Sequence, residues 1–297
     1  MKILLFGASG QVGWELQRSL AVLGEVVAPG FGACARADFE QPETLPALVR
    51  ALAPDAIVNA AAHSAVDRAE SEPERARLVN AVAPGVHARE AAALGAWLVH
   101  YSSDYVFDGS GSAPHDEQAP TGPLSVYGRS KLEGEELVRA SDCRHLILRT
   151  SWVHGTRGGN FAKTMLRLAA EREQLKVVDD QIGAPTGAEL LADATAHLLR
   201  RVAAEPALAG TYHCAADGET SWFGYARFVI ERARRAGLPL RLGADALLPV
   251  PTREYPTPAA RPLNSRLDTR KLRRTFGLTM PPWQAGVERM LAELLGR

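Results

Sequence analysis

Lys2-Ile3-Leu4-Leu5-Phe6-Gly7-Ala8-Ser9-Gly10-Gln11-Val12-Gly13 decides how this chain folds. Ile3 to Phe6 is a short apolar run with a glycine stop, the pattern of a strand buried on both faces in a parallel sheet. The residues after it keep a helical period through Leu16, Leu20 and Leu23. Gly7 permits a tight turn, Gly10 lets backbone approach a pyrophosphate, and Gly13 lets helix and strand pack closely. The free N–H groups at the start of the helix then face a phosphate. A glycine triplet between a strand and a helix marks a dinucleotide site far better than a triplet alone.

Further strands and helices alternate outward from this unit. Strands are expected at Glu25–Ala28, Ala56–Asn59, Trp97–Tyr101, Leu146–Leu148 and Thr211–Cys214. Helices are expected at Glu43–Leu52, Glu74–Leu94, around Tyr127 and Lys131 with Ser125 as N-cap, and at Leu190–Arg201. Pro84 lacks an N–H, so the long helix should break near Asn80 to Ala83. The fold implied is α/β, a Rossmann-type doubly wound parallel sheet with a smaller C-terminal substrate-binding lobe. Residues 1–155, with 188–215 returning, would form the dinucleotide domain; 156–187 and 216–297 would form the lobe. Val177-Val178 reads as extended, Leu248–Pro262 as an ordered surface loop, and Phe161–Glu173, Ser221–Ala236, Leu272–Phe276 and Trp283–Leu295 as helices.

The chemistry concentrates between Tyr101 and Lys131. Ser102-Ser103-Asp104 leaves the C-terminal end of a strand, the edge where open α/β sheets bind ligands. Tyr127 and Lys131 lie four apart, on one helix face. A lysine ammonium there should favour the phenolate and lower the tyrosine pKa from its usual value of about 10. With Ser103, the pair could bind a ketone oxygen and protonate it as hydride reaches the carbon. Ala60 to Ala62 allow either a flat cofactor or ordinary packing close to the backbone. His63 reads as a base or as a plain polar contact. Trp152 reads as an apolar wall for a sugar or as a core residue.

Composition excludes several classes. The 297 residues are 46 % hydrophobic, with 34 basic and 34 acidic side chains, so neither disorder nor a nucleic-acid footprint is indicated. No apolar run approaches the length of a membrane span, and no signal peptide is apparent. Cys34, Cys143 and Cys214 are far apart and make neither a metal spacing nor a disulfide framework, consistent with a reducing cytoplasm.

These residues resemble the extended short-chain dehydrogenase/reductase superfamily and, within it, the dTDP-4-dehydrorhamnose reductases. The resemblance rests on Gly10-Gln11-Val12-Gly13-Trp14-Glu15-Leu16, Tyr101 to Phe107, Tyr127-Gly128, Arg149-Thr150-Ser151-Trp152, Asp180 to Gly187, and Arg261-Pro262 with Leu267-Asp268. It implies NADPH- or NADH-dependent reduction of the C4 ketone of dTDP-4-dehydro-L-rhamnose by a cytoplasmic homodimer. It also implies site roles: Tyr127 as proton donor, Lys131 as its tuner and the holder of the nicotinamide ribose, and Ser103, Asp104, Tyr127 and Trp152 against the sugar. Gly7, Gly10, Gln11, Val12, Gly13, Asp38, Phe39, Ala62, His63, Ser64, Tyr101, Tyr127 and Lys131 would line the cofactor. Glu15, Glu189 and Glu293 stand where some relatives gather carboxylates about Mg²⁺ at a dimer contact; three exposed glutamates is the alternative. Relatives often carry an acid at the end of the second strand, where this chain has Pro29-Gly30, and Arg36 could pair with a 2′-phosphate there. Other 4-keto nucleotide sugars, or a regulatory subunit resembling that of methionine adenosyltransferase, are the competing implications.

Overall fold

In the computed structural model, which describes residues 1–30 and 37–296, six parallel strands make the central sheet. They are β1 (Lys2–Phe6), β2 (Glu25–Val27), β3 (Ala56–Asn59), β4 (Trp97–Ser103), β5 (Arg144–Thr150) and, much later, β10 (Gly210–His213). Their spatial order is β2-β1-β3-β4-β5-β10. The order reverses at β1, where the first crossover goes to β2 and the next to β3, so the glycine loop sits at the switch point. Ile3, Leu4 and Leu5 are wholly buried and Phe6 nearly so. Each such side chain contributes about 1.5–3 kcal/mol of burial energy.

The sheet has a core on each face. On one, Ile3, Leu5, Val99 and Tyr101 meet α1 (Gln11–Leu20) and α8 (Ala188–Ala204). On the other, Leu4, Ile57, Leu98 and Ile147 meet α2 (Leu45–Leu52), α5 (Ala83–Leu94) and α6 (Val126–Arg139). The break expected before Pro84 is a π turn at Leu78–Val82, continuous with α4 (Pro73–Arg77) and α5. It absorbs the missing donor without ending the helix.

A separate apolar cluster, including Ala162, Met165, Tyr225, Trp283 and Val287, joins α7 (Phe161–Glu171), α9 (Trp222–Arg235) and α11 (Trp283–Leu295). The expectation of a loop from Leu248 is corrected at its start. Leu247–Val250 is a strand, β12, parallel to β7 (Leu175–Val178). Pro249 masked it in the sequence, and a two-stranded ribbon tolerates a proline because one side of each strand is an edge. Arg36 and Cys34 lie outside the described residues. Among the described residues, no helix is long and apolar enough to cross a membrane.

Candidate active site

The glycine loop is built as its spacing implies. Gly7 has φ +78°, a conformation open to glycine and strained for other residues. A Cβ on Gly13 would lie 2.1 Å from the Gly7 carbonyl oxygen, so α1 presses directly on the loop. Gly10 caps α1 with no side-chain hydrogen bond to the helix N-terminus. The first N–H groups of α1 are thus left for a ligand, a cradle that suits a dinucleotide's diphosphate. The Gln11 side chain accepts a hydrogen bond from Asn160 Nδ2 at 3.0 Å, tying the loop before α7 to this cradle.

The second half of the site hangs from β4. Ser103 closes the strand, and its hydroxyl donates to Asp104 Oδ1 at 2.9 Å. Ser125 caps α6 as expected, accepting from the Gly128 N–H at 3.1 Å. A Cβ on Gly128 would fall 2.3 Å from the Tyr105 carbonyl, and one on Gly134 would fall 2.2 Å from the Asn80 carbonyl. These two glycines let α6 settle onto the segment after β4 and onto the π turn, and that approach sets where Tyr127 stands.

The electrostatics differ from the expectation of an eased phenolate. Burial pushes the Tyr127 phenol up to about 12, only partly offset by the Ser103 hydroxyl beside it. Burial likewise drives the Lys131 ammonium down to about 8, against the pull of Glu135. Lys131 Nζ donates to the Tyr101 backbone carbonyl at 2.5 Å. Desolvation dominates at both groups, so Tyr127 is a phenol that holds its proton. Burial also pushes the Asp104 carboxyl up to about 6, against the hydroxyls of Ser265 and Ser103.

The other expected residues fall as follows. Tyr101 offers only backbone to this face. Its ring lies with Val99 on the α8 side, and its hydroxyl is 2.5 Å from Thr195 Oγ1. Its phenol is thus engaged within the α8 core, while its backbone carbonyl holds Lys131. Val12 is partly buried against the α1–α8 core. Asp38 accepts the Glu40 N–H at 2.9 Å in a local turn, and Phe39 packs edge-on to Phe6 at 5.4 Å. Ala62 and Ser64 are exposed at the sheet edge. His63 faces Glu72 at 3.2 Å, and its backbone is clamped by Asn80, which accepts the His63 N–H at 2.8 Å and donates to Ser130.

Trp152 sits at φ +48° with its ring stacked 3.6 Å from Trp222 and against Gly183. Trp222, not Trp152, lines a cavity of about 340 Å³ with Phe161, Lys176, Gln181, Tyr255 and Arg261. Arg261 crosses from this cavity to Asp67 on α3 (Val66–Ser71) at 2.7 Å. Tyr105 lies edge-on to Tyr127 at 5.4 Å and within the field of Arg261, so cavity and phenol are neighbours.

Glu15 and Glu293 are bridged by Arg18 at 3.4 Å and Arg289 at 3.2 Å. Burial raises the Glu189 carboxyl, and the charges of Glu15 and Glu293 add to the rise. Among the described residues, no group of three His, Cys, Asp or Glu is placed to hold a metal ion within one chain. The three glutamates therefore do not form the expected Mg²⁺ site by themselves.

Sequence reading gave no role to Asn80, Asn160, Trp222 or the Glu135–Arg149 pair. Only Asn80 carried a signal, through the break that Pro84 forces.

The model of the RmlD substrate binding domain matches residues 1–295. The Escherichia coli protein named dTDP-4-dehydrorhamnose reductase is 56 % identical, over 99 % of this chain and 98 % of its own length. A Burkholderia thailandensis protein of the same name is 47 % identical over the full length of both. A Bacillus anthracis dTDP-4-dehydrorhamnose reductase solved in complex with NADP superposes with a TM-score of 0.86 at 33 % identity, covering 98 % of this chain and 99 % of that one. A glycine cradle, a Ser-Tyr-Lys set at the sheet edge and this full-length similarity lead to one assignment: the chain belongs to the dTDP-4-dehydrorhamnose reductase family of extended short-chain dehydrogenases/reductases.

Proposed function

We propose that this chain reduces the C4 ketone of dTDP-4-dehydro-L-rhamnose to give dTDP-L-rhamnose, with NADPH as the reductant. The observation that carries this reading is the meeting of Ser103 and Tyr127 at the sheet edge, with Lys131 one turn along α6. Gly7, Gly10 and Gly13 hold the diphosphate of the dinucleotide against α1. The nicotinamide, when bound, supplies the hydride. Ser103 and Tyr127 hold the ketone oxygen, and Tyr127 gives it the proton. Lys131 steadies the negative charge left on the phenol. The lobe of residues 156–187 and 216–297 receives the dTDP-sugar, with its nucleotide in the cavity lined by Trp222 and Arg261 and its hexose toward Asp104 and Tyr127.

No carboxylate stands at Gly30 to clamp an adenosine ribose or repel a 2′-phosphate, so NADPH serves at least as well as NADH. Steady-state turnover of the ketosugar with each reduced cofactor tests this, and a strong preference for NADH overturns it. The reading includes a cytoplasmic homodimer. A divalent ion bridging it would need carboxylates from both copies. Light scattering separates the two ideas: a monomer throughout removes the dimer, and a dimer indifferent to chelator removes the metal.

A further inference from the structure

We propose that Glu135 is a positioning residue for this reaction, its carboxylate balancing the Lys131 ammonium and fixing α6 against β5. The inference rests on the proposed function, because it assumes that Lys131 acts as a cation beside Tyr127.

Glu135 is wholly buried and Arg149, on β5, is 3 % exposed. Arg149 grips the carboxylate with both arms, Nε to Oε1 at 2.8 Å and a terminal nitrogen to Oε2 at 2.7 Å. Arg139, one turn further along α6, donates to Oε2 at 3.0 Å. Lys131 lies one turn before Glu135, is 2 % exposed, and is bridged by no carboxylate among the described residues. Three cations thus surround one carboxylate, Arg149 and Lys131 buried and Arg139 reaching in from the surface.

Other facing groups do not supply a second negative charge. On β4, His100 is held neutral by burial and by Lys131; on α5, His87 is held neutral by burial. On β10, burial and Arg149 hold His213 neutral. Tyr127 keeps its proton, and Asp104 is a raised carboxyl at the strand end. Glu70 on α3 is taken by the Val126 N–H at 2.8 Å, Glu133 by Arg77, and Glu117 by the His213 N–H at 2.9 Å. For Glu135, burial pushes the carboxyl up, but the bonds and charge of Arg149, with the bonds of Ser102 and Arg139, more than offset it, so it stays ionised. A buried ion pair is often no more stabilising than well-packed apolar side chains. Its placement one turn from the catalytic lysine gives it a second use: without Glu135, Lys131 would face Arg149 unbalanced and shed its proton more readily.

The test compares Glu135→Gln, Glu135→Gln with Arg149→Met, Glu135→Asp, and Arg149→Met alone against wild type. The readouts are kcat against pH, NADPH affinity against pH by fluorescence, and thermal midpoint. In wild type the alkaline limb of kcat falls near the Lys131 value of about 8. Glu135→Gln moves that limb down by about one pH unit or more and lowers kcat at neutral pH by roughly tenfold, with little change in KM. The double variant restores the wild-type charge count and returns the limb. Glu135→Asp keeps the limb and lowers kcat, and Arg149→Met alone, which leaves the Glu135 carboxylate facing Lys131 without its nearest cation, moves the limb up, so the test stands even where Glu135→Gln fails to fold. A limb that stays put in every variant while only the thermal midpoint falls makes the pair structural and overturns the inference. If wild type does not turn over the ketosugar, the proposed function fails, and the NADPH profiles still read Glu135 on their own.

Discussion

Trp152 stacks on Trp222 with ring centroids 3.6 Å apart and planes 12° from parallel, so one indole backs the other and only Trp222 borders the cavity. Trp222 is held on its far edge, its Nε1 donating to Gln181 Oε1 at 3.1 Å. A bulky residue at φ +48° is strained and persists only where its surroundings over-determine it. Trp152 thus reaches the cavity only through its neighbour.

Trp152→Ala should therefore cost both stability and turnover. Removing a partly buried indole from this stack lowers stability by about 2–3 kcal/mol. It lowers kcat/KM for the ketosugar severely and leaves NADPH affinity unchanged. Chemical denaturation, steady-state kinetics and cofactor titration check the three parts. Full turnover with lost stability would restrict the pair to packing.

Two neighbouring glycines should respond differently to one methyl group. At Gly13 a Cβ would meet the Gly7 carbonyl at 2.1 Å, and the contact is backbone, which cannot give way. Gly13→Ala should displace α1, abolish NADPH binding and lower the thermal midpoint. At Gly10 the nearest atom is the same carbonyl at 3.3 Å, a contact that a shift of a few tenths of an ångström relieves, so Gly10→Ala should keep most of its thermal midpoint and weaken NADPH binding. Equal thermal losses in the two variants would contradict this account of the cradle.

Asp104 gives a signed pH effect. Its folded pKa of about 6 lies above the usual 3.8, so its contribution is fully present below about 4 and is lost as pH rises through about 6. At pH 7 the buried carboxylate is a cost of up to about 3 kcal/mol. Asp104→Asn should be more stable than wild type at pH 7 and should lose that advantage at pH 4, while reducing ketosugar turnover. Parallel denaturation curves at the two pH values check it. An unchanged difference between them would show that Asp104 does not titrate as a buried acid.

The sheet was legible because its signals are local. Apolar runs such as Ile3–Phe6 and Leu146–Leu148, the glycine spacing and the cap at Ser125 each report on a few neighbouring residues. Pro84 announced a break in the same way, though not that a π turn would carry the helix through it. What stayed hidden depends on residues far apart in sequence. Trp152 meets Trp222, Glu135 meets Arg149, and Gln11 meets Asn160, and no periodicity encodes such pairs. The phenol expectation failed for a related reason: the four-residue spacing showed that Tyr127 and Lys131 share a helix face, but not how dry that face is. Tyr101 follows the same rule: its motif does not show that its hydroxyl meets Thr195, far along the chain.

The most direct test is NADPH oxidation with dTDP-4-dehydro-L-rhamnose by wild type and Tyr127→Phe. Wild type should consume NADPH only when the ketosugar is present. The variant should bind NADPH with unchanged affinity, yet its kcat should fall at least about a hundredfold, the usual contribution of a general acid. No turnover by wild type, or near-normal turnover by Tyr127→Phe, would contradict the account.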